Sequence, residues 1–370
     1  MFRDLVTVLD FGSSRITALT GVKEVNKSFR LLASADVEYS GFANGEFIDS
    51  NELKDAIDIV IGDIEKQLHS KITSIYIGVP AEFCFAYDEI LTKVYPKKTK
   101  ITTKIIDNLF FDDEENNPYS THTIVNKSPL YYIVNDENKT NEPIGMYANK
   151  IQARVGYVLV ENSFKLLISG ILDSLGIKEY DFLSNTLAEG IYLIEEYKRN
   201  EGAFLIDCGY ITTSVSQILG DGLKELKSFS LGGGNITADL SNALEISIED
   251  AEELKRQAII TMKPLGVDYY EISTGRKFGV KAVNEIILFR LDKIVSMIKK
   301  CIDTFSTVLP DYIPLCFTGG GINYITGITD YLRKEFDRPI ELLSPKALLY
   351  KKPDLSSSIS LLNMAINIFK

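Results

Sequence analysis

Val6-Thr7-Val8-Leu9-Asp10-Phe11-Gly12-Ser13-Ser14-Arg15-Ile16-Thr17-Ala18-Leu19 and Ala203-Phe204-Leu205-Ile206-Asp207-Cys208-Gly209-Tyr210-Ile211-Thr212-Thr213-Ser214-Val215-Ser216-Gln217-Ile218 are two copies of one pattern. In each, an apolar strand runs into an acidic-glycine turn and a second strand leaves it, which is the form of a β-hairpin with glycine at the tight bend. Backbone N–H groups and hydroxyls in such a turn can face phosphate oxygens, and the acid at the strand end can hold a hydrated Mg²⁺. A single turn of this kind is ordinarily only a hairpin. The duplication predicts two related domains closing on one phosphate group.

Composition narrows the field around that pattern. A chain of 370 residues is too long for one small core, and 45% hydrophobic with 25% charged residues describes a soluble globular protein. A formal net charge of −11 argues against nucleic acid as a partner and against electrostatic adhesion to an anionic membrane. Cys84, Cys208, Cys301 and Cys316 have no paired spacing, so they read as reduced thiols of a cytosolic protein rather than a zinc site or disulfide framework. With only His69 and His122 present, a histidine-based metal site or triad is disfavoured. No signal peptide and no run of about 18 apolar residues is visible.

Working outward, Phe29–Val37 reads as a strand, and Ser50 or Asn51 is expected to cap a helix running to about His69. Its Leu53, Ile57, Val60, Ile61 and Ile64 recur at helical spacing. The strand Ile72–Val79 closes a β-α-β unit. From about 84 to 167 the basic stretch Lys93–Lys104 and the amide-rich stretch Asp112–Pro118 are expected to interrupt the strands of a small inserted domain, with Lys97-Lys98-Thr99-Lys100 at a solvated hairpin tip. Helices are expected over Ser163–Leu175, Ser184–Arg199, Ile236–Leu244 and from Ser247, with Ser247 and Asp250 in a capping arrangement. A long helix is expected from Val280 to Leu309, ended by Pro310. The strand Ile313–Phe317 then delivers Thr318-Gly319-Gly320-Gly321, read as opening a helix through about Phe336.

That last turn is the third glycine turn at a strand end. Without a Cβ, backbone can approach a ligand closely, and helix N-termini after Gly234 and Gly321 are expected to offer N–H groups to an anion or a base edge. The order of elements resembles the actin-like ATPase superfamily, whose nucleotide sits between two duplicated domains. Within it the chain looks most like the FtsA family, bacterial cell-division proteins that tether the tubulin-like FtsZ to the membrane. The likeness is carried by Asp10-Phe11-Gly12-Ser13-Ser14-Arg15, Asn141-Glu142-Pro143-Ile144-Gly145-Met146, Gly232-Gly233 with Thr237 and Asp239, Ala251-Glu252-Glu253-Leu254-Lys255, and Glu285-Ile286-Ile287-Leu288-Phe289-Arg290-Leu291.

The resemblance implies an α/β fold, actin-like and ribonuclease H-like in its duplication, with two domains flanking a nucleotide cleft. It divides the chain into a first core of 1–83, 168–200 and 345–370 and an inserted subdomain of 84–167. A second core of 201–236 and 303–344 carries a helical insertion of 237–302. ATP and Mg²⁺ are the implied cofactors. Asp10 and Asp207 would hold Mg²⁺ through water; Gly12, Ser13, Ser14, Arg15, Gly209, Thr212 and Thr213 would meet phosphate. Gly233, Gly234, Glu252, Lys255, Gly319, Gly320 and Gly321 would meet adenosine. Hydroxyls in hairpins otherwise cap local backbone, and Glu252 with Lys255 otherwise form a surface ion pair. Arg290, Lys293, Lys299 and Lys300 on one helix are candidates for the FtsZ C-terminal peptide, or else a solvated face.

Three departures from the family pattern bear on hydrolysis. Tyr210 and Ile211 replace two glycines of the second phosphate loop, Ser214 replaces its last acid, and Ser184-Asn185 stands where a Glu-Pro pair helps to position water. These predict weak or absent ATP turnover. The apolar segment Ser356–Lys370 reads as the last core helix rather than a membrane helix, so membrane attachment is expected to be indirect or through a tail absent from this sequence. The expected role is a cytoplasmic scaffold at the inner face of the membrane at the division site, able to self-assemble into filaments. The alternatives are a PilM-like pilus-assembly component that recruits a membrane-protein tail and a small-molecule kinase of the same superfamily, for which no acceptor-facing carboxylate is evident.

Overall fold

The structure, a computed structural model, describes residues 5–24, 28–111, 117–261, 266, 268–346 and 351–368. Strands β1 (Leu5–Phe11) and β2 (Arg15–Lys23) form the first hairpin with Phe11 opposite Ile16, and β3 (Phe29–Glu38) extends it as an antiparallel meander. A small hairpin of β4 (Phe42–Ala43) and β5 (Glu46–Phe47) leads to α1 (Ser50–Leu68). Asp49, not Ser50 or Asn51, caps this helix: its carboxylate accepts the Asn51 and Glu52 N–H groups, the charged form of an N-cap favoured by the helix dipole. The apolar stripe read from the sequence is buried, and β6 (Ser74–Val79) then lies parallel to β1 with Gly78 opposite Asp10.

Next come β7 (Cys84–Lys100), α2 (Thr103–Phe111), β8 (His122–Val134), β9 (Asn138–Thr140) and β10 (Tyr147–Glu161), whose strands form a separate antiparallel sheet in the order β7-β10-β8-β9. The basic stretch does not interrupt it. Strand β7 runs on to Lys100, with Thr99 opposite Ala148, because alternate residues Tyr87, Leu91 and Tyr95 pack on this sheet's own core. Residues 112–116 of the amide-rich stretch lie outside the described residues.

Helix α3 (Asn162–Ser174) returns the chain to the first core, and β11 (Glu179–Ser184) pairs parallel with β6 to give the order β11-β6-β1-β2-β3. The helix expected over Ser184–Arg199 is two, α4 (Asn185–Leu193) and α5 (Glu196–Glu201). The break is held by Arg199, whose guanidinium donates to the Ile191 and Ile194 carbonyls at 3.2 and 2.7 Å and so satisfies the end of α4.

The second half repeats the first. Strands β12 (Ala203–Cys208), β13 (Thr213–Leu219) and β14 (Gly222–Phe229) are a meander with Cys208 opposite Thr213. Helices α6 (Gly233–Leu244) and α7 (Ile248–Gln257), the hairpin β15 (Tyr269–Glu271) with β16 (Lys277–Gly279), and α8 (Val280–Asp303) follow. Ser247 caps α7 through the Asp250 N–H, as the sequence indicates. Helix α8 stops six residues before Leu309: the Thr304 hydroxyl donates to the Lys300 and Cys301 carbonyls and Phe305 turns into the core, so Pro310 plays no part in ending it. Strand β17 (Leu315–Thr318) lies parallel to β12, and no helix opens directly at Gly321; α9 (Ile328–Phe336) begins after Gly327, at φ +89°. With β18 (Ile340–Leu342) parallel to β17 the sheet order is β14-β13-β12-β17-β18. Each five-stranded sheet is thus a three-stranded antiparallel meander whose first strand carries two further parallel strands. Finally α10 (Ser356–Ile368) buries Ile359, Leu361, Leu362, Ala365 and Ile366 against the first sheet and α4, the core helix expected. Among the described residues no helix is long and apolar enough to cross a membrane.

Candidate functional site

The two hairpin turns share one frame. The Gly12 N–H bonds to the Arg15 carbonyl at 2.8 Å and the Gly209 N–H to the Thr212 carbonyl at 2.9 Å, leaving Ser13-Ser14 and Tyr210-Ile211 at equivalent tips. Between the sheets lies a cavity of about 700 Å³ lined by both turns, by Asp10 and Asp207 at the strand ends, and by Glu252, Lys255 and Gly319–Gly321. The duplicated sheets thereby bring most of the expected site residues to one cleft. Across it the turns touch: the Ile211 N–H donates to Ser13 Oγ at 2.9 Å.

The glycines act mainly on each other. The N–H groups of Gly233, Gly234 and Gly321 donate to the carbonyls of Gly209 (2.9 Å), Tyr210 (2.6 Å) and Cys208 (2.7 Å). These groups were expected to face a ligand; in the structure they dock α6 and the third turn onto the second hairpin. A Cβ on Gly233 would strike the Gly321 backbone, one on Gly234 the Tyr210 ring, and one on Gly319 (φ +86°) the Asp207 carboxylate. Gly319 and Gly320 line the cavity.

Side chains divide similarly. Ser14, Thr212 and Thr213 all line the cleft, but the Thr213 hydroxyl is engaged, donating to the Leu231 carbonyl at 2.7 Å. Arg15 borders the cleft with its guanidinium held by Asp36 and Glu38 of β3, each at 2.9 Å. Glu252 and Lys255 do pair, at 2.6 Å, but not on the surface: Lys255 is buried and also reaches Thr237 and the Gly233 carbonyl. Burial pushes the Lys255 ammonium below its ordinary value; Glu252, though also partly buried, is held low by Lys255. None of the four α8 cations lines the cavity. Arg290 makes a two-point bond to Asp239 (2.6 and 2.7 Å), Lys299 lies 3.9 Å from Glu335, and Lys293 sits over the exposed Phe289 ring.

The two aspartates are the electrostatic centre. Burial raises Asp10 to about 6 against hydrogen bonds from Ser357 and Asn185, and raises Asp207 to about 7, with the Asp10 charge adding to the effect. One buried and one half-buried carboxylate at equivalent strand ends suit a divalent cation's charge. Among the described residues no group of three His, Cys, Asp or Glu is placed to hold a metal ion directly.

Sequence reasoning missed part of the cleft. Asn185 on α4 donates to Asp10 Oδ1 at 2.7 Å and Ser357 on α10 to the same oxygen at 3.0 Å. Glu189, one turn further along α4, is 1% exposed and lines the cavity, and burial together with the Asp207 and Asp10 charges raises it well above the usual carboxylate range. The available signal was an acid in the otherwise apolar run Leu187-Ala188-Glu189-Gly190-Ile191.

Comparison with known proteins agrees with this geometry. The family model described as cell division protein FtsA matches residues 204–360. Proteins named cell division protein FtsA from Neisseria meningitidis serogroup B and Staphylococcus epidermidis are 23% and 20% identical, over 98% and 97% of this chain and 90% and 78% of theirs. The chain is similar to FtsA proteins along nearly its whole length. Solved structures share its fold: a PilM–PilN type IV pilus biogenesis complex (TM-score 0.64, 14% identical, 98% of each chain) and Spiroplasma citri MreB 5 bound to AMPPNP (0.55, 12%, 100% of this chain and 97% of that one). Ethanolamine utilization protein EutJ from Carboxydothermus hydrogenoformans aligns at a TM-score of 0.55, with 12% identity over 99% of this chain and 90% of that one. The fold is the actin-like one, as expected from the duplicated turns.

Proposed function

We propose that the cleft binds ATP with Mg²⁺ and that the chain serves as a cell-division scaffold. The observation that carries this reading is the pair Asp10, buried, and Asp207, half-buried, at equivalent strand ends beside a glycine-lined cavity of about 700 Å³. Asp10 and Asp207 would hold the cation through water, and the cation would neutralise phosphate charge. Ser14, Gly12, Gly209 and Thr212 would meet phosphates; Glu252, Lys255, Gly319 and Gly320 would meet adenosine. Ser13 would meet phosphate only by giving up the Ile211 N–H, and Arg15 only by leaving Asp36 and Glu38. These exchanges, with side chains at positions 210 and 211, support nucleotide as a structural or switching ligand with slow turnover.

In this reading the FtsZ C-terminal peptide docks on α8, where Phe289 and Lys293 form an exposed apolar-cationic step and Arg290 is braced by Asp239. Filament formation and attachment to the inner face of the division-site membrane complete the proposal. The test is titration with a fluorescent ATP analogue in Mg²⁺, for wild type and Asp207→Ala. Saturable binding lost in the variant supports the reading, and no binding by wild type sinks it. Pull-down with an FtsZ tail peptide against a pilus-protein N-terminal peptide separates the scaffold from the PilM-like alternative.

A further inference from the structure

Helix α4 carries two acceptor atoms that no donor among the described residues satisfies. Asn185 Oδ1 and Glu189 Oε1 are both buried without a hydrogen-bond partner, on side chains 6% and 1% exposed. They sit four residues apart on α4 and therefore on one face, which the Asn185 bond to Asp10 turns toward the cleft. The site is built rather than incidental. Strand β6 carries Gly78 where any Cβ would strike the Asn185 side chain, so a glycine in the sheet makes the room that Asn185 fills. Leu187 and Gly190 on the same helix are buried, so the polar face of α4 has only the cavity to serve.

A buried acceptor left unmade costs about 1–3 kcal/mol, more for a charged group, and two of them one helical turn apart call for a donor from outside the chain. Water is the small donor that such a cleft admits, and a carboxylate can both orient it and take its proton. We propose that Glu189 positions the water that attacks the terminal phosphoryl group of a nucleoside triphosphate in this cleft, and that the chain's slow turnover runs through it. The water oxygen forms a bond to the γ-phosphorus, the bond from that phosphorus to the β–γ bridging oxygen breaks, and the nucleoside diphosphate leaves with those electrons. The water proton passes to Glu189 and then to solvent. Asn185 is a positioning residue in this scheme, tying the water-bearing face of α4 to Asp10.

This inference rests on the nucleotide reading, so binding and turnover are measured separately. The experiment is phosphate release under saturating ATP alongside fluorescent-nucleotide affinity, for wild type, Glu189→Gln and Glu189→Asp. The expected result is slow wild-type turnover that falls about 100-fold in Glu189→Gln at unchanged nucleotide affinity, with Glu189→Asp within about tenfold of wild type. Glu189→Gln is isosteric and spares the site the burial of a carboxylate beside Asp207 and Asp10, so its melting temperature should not fall below wild type. Three results overturn the proposal: wild-type turnover in Glu189→Gln, a loss of turnover that tracks a loss of affinity, or a wild type that binds ATP and releases no phosphate. Failure of wild type to bind nucleotide at all overturns the nucleotide reading instead.

Discussion

The first and second hairpin turns have the same hydrogen-bonded frame but different freedom. Asp10 is supported by two donors, Asn185 and Ser357, and its turn carries two small hydroxyl residues at the tip. Asp207 has the Gly319 backbone pressed against its carboxylate, and its turn carries Tyr210 packed on Gly234 and Ile211 reaching Gly41 of the first domain. Duplication therefore preserved the backbone and the acid while assigning the two copies different work. The first is furnished for a ligand, whereas the second is also a hub for α6 and the third glycine turn.

The largest effect expected from this contrast is at Gly319. Alanine there would meet a carboxylate and hold a left-handed φ, so Gly319→Ala should lower the melting temperature by roughly 5–10 °C, whereas Gly45→Ala, also left-handed but in open space, should cost much less; thermal denaturation of both checks this.

Next is the pH response of the two acids. A carboxylate with a raised folded value binds its proton more tightly in the native state, so its stability contribution is present below about pH 4 and is lost as pH rises through 6 for Asp10 and 7 for Asp207. Asp207→Asn should therefore raise stability at pH 7.5 and flatten the decline between pH 4 and 7. Asp10→Asn should do so less, because its two donors already favour the charged form. Urea titrations across that range would contradict the asymmetry if the two variants behaved alike.

A smaller effect concerns the tip. Returning Tyr210 and Ile211 together to glycine removes both side chains from the second turn and should tighten ATP binding roughly tenfold, read by calorimetry. The smallest is Ser13→Ala, which deletes the acceptor of the Ile211 N–H. It should cost about 1 kcal/mol and speed hydrogen exchange at that amide, with little change in the first turn.

The duplicated fold was legible because its signal is local: an apolar strand, an acid and a glycine, twice. The buried stripe of α1 and the core placement of α10 were legible for the same reason, through their spacing. What escaped depended on distant partners. Strand β7 continues through its lysines because β10 supplies the ladder, and α8 ends where Thr304 and Phe305 find partners rather than where proline forbids a helix. In the cleft, the N–H groups of Gly233 and Gly234 on α6 and of Gly321 in the third turn serve packing onto the second hairpin, which their positions in sequence do not reveal. Glu189 went unread because the groups that give it meaning, Asp207 on β12 and Asp10 on β1, meet it only in the fold.

Helix α10 closes the first domain, but its opening serines reach both halves of the protein: Ser357 bonds Asp10 on the first strand, and Ser356 bonds Thr318 at the mouth of the third turn at 2.7 Å. A chain leaving the ribosome thus makes its first acidic turn early and waits for almost the whole sequence before that turn is complete. Until α10 has emerged, Asp10 lacks one of its two donors and the apolar faces of β1, β2 and α4 lack their cover. The order of synthesis makes the cleft one of the last features to mature, so a nascent or truncated chain lacks the finished cleft.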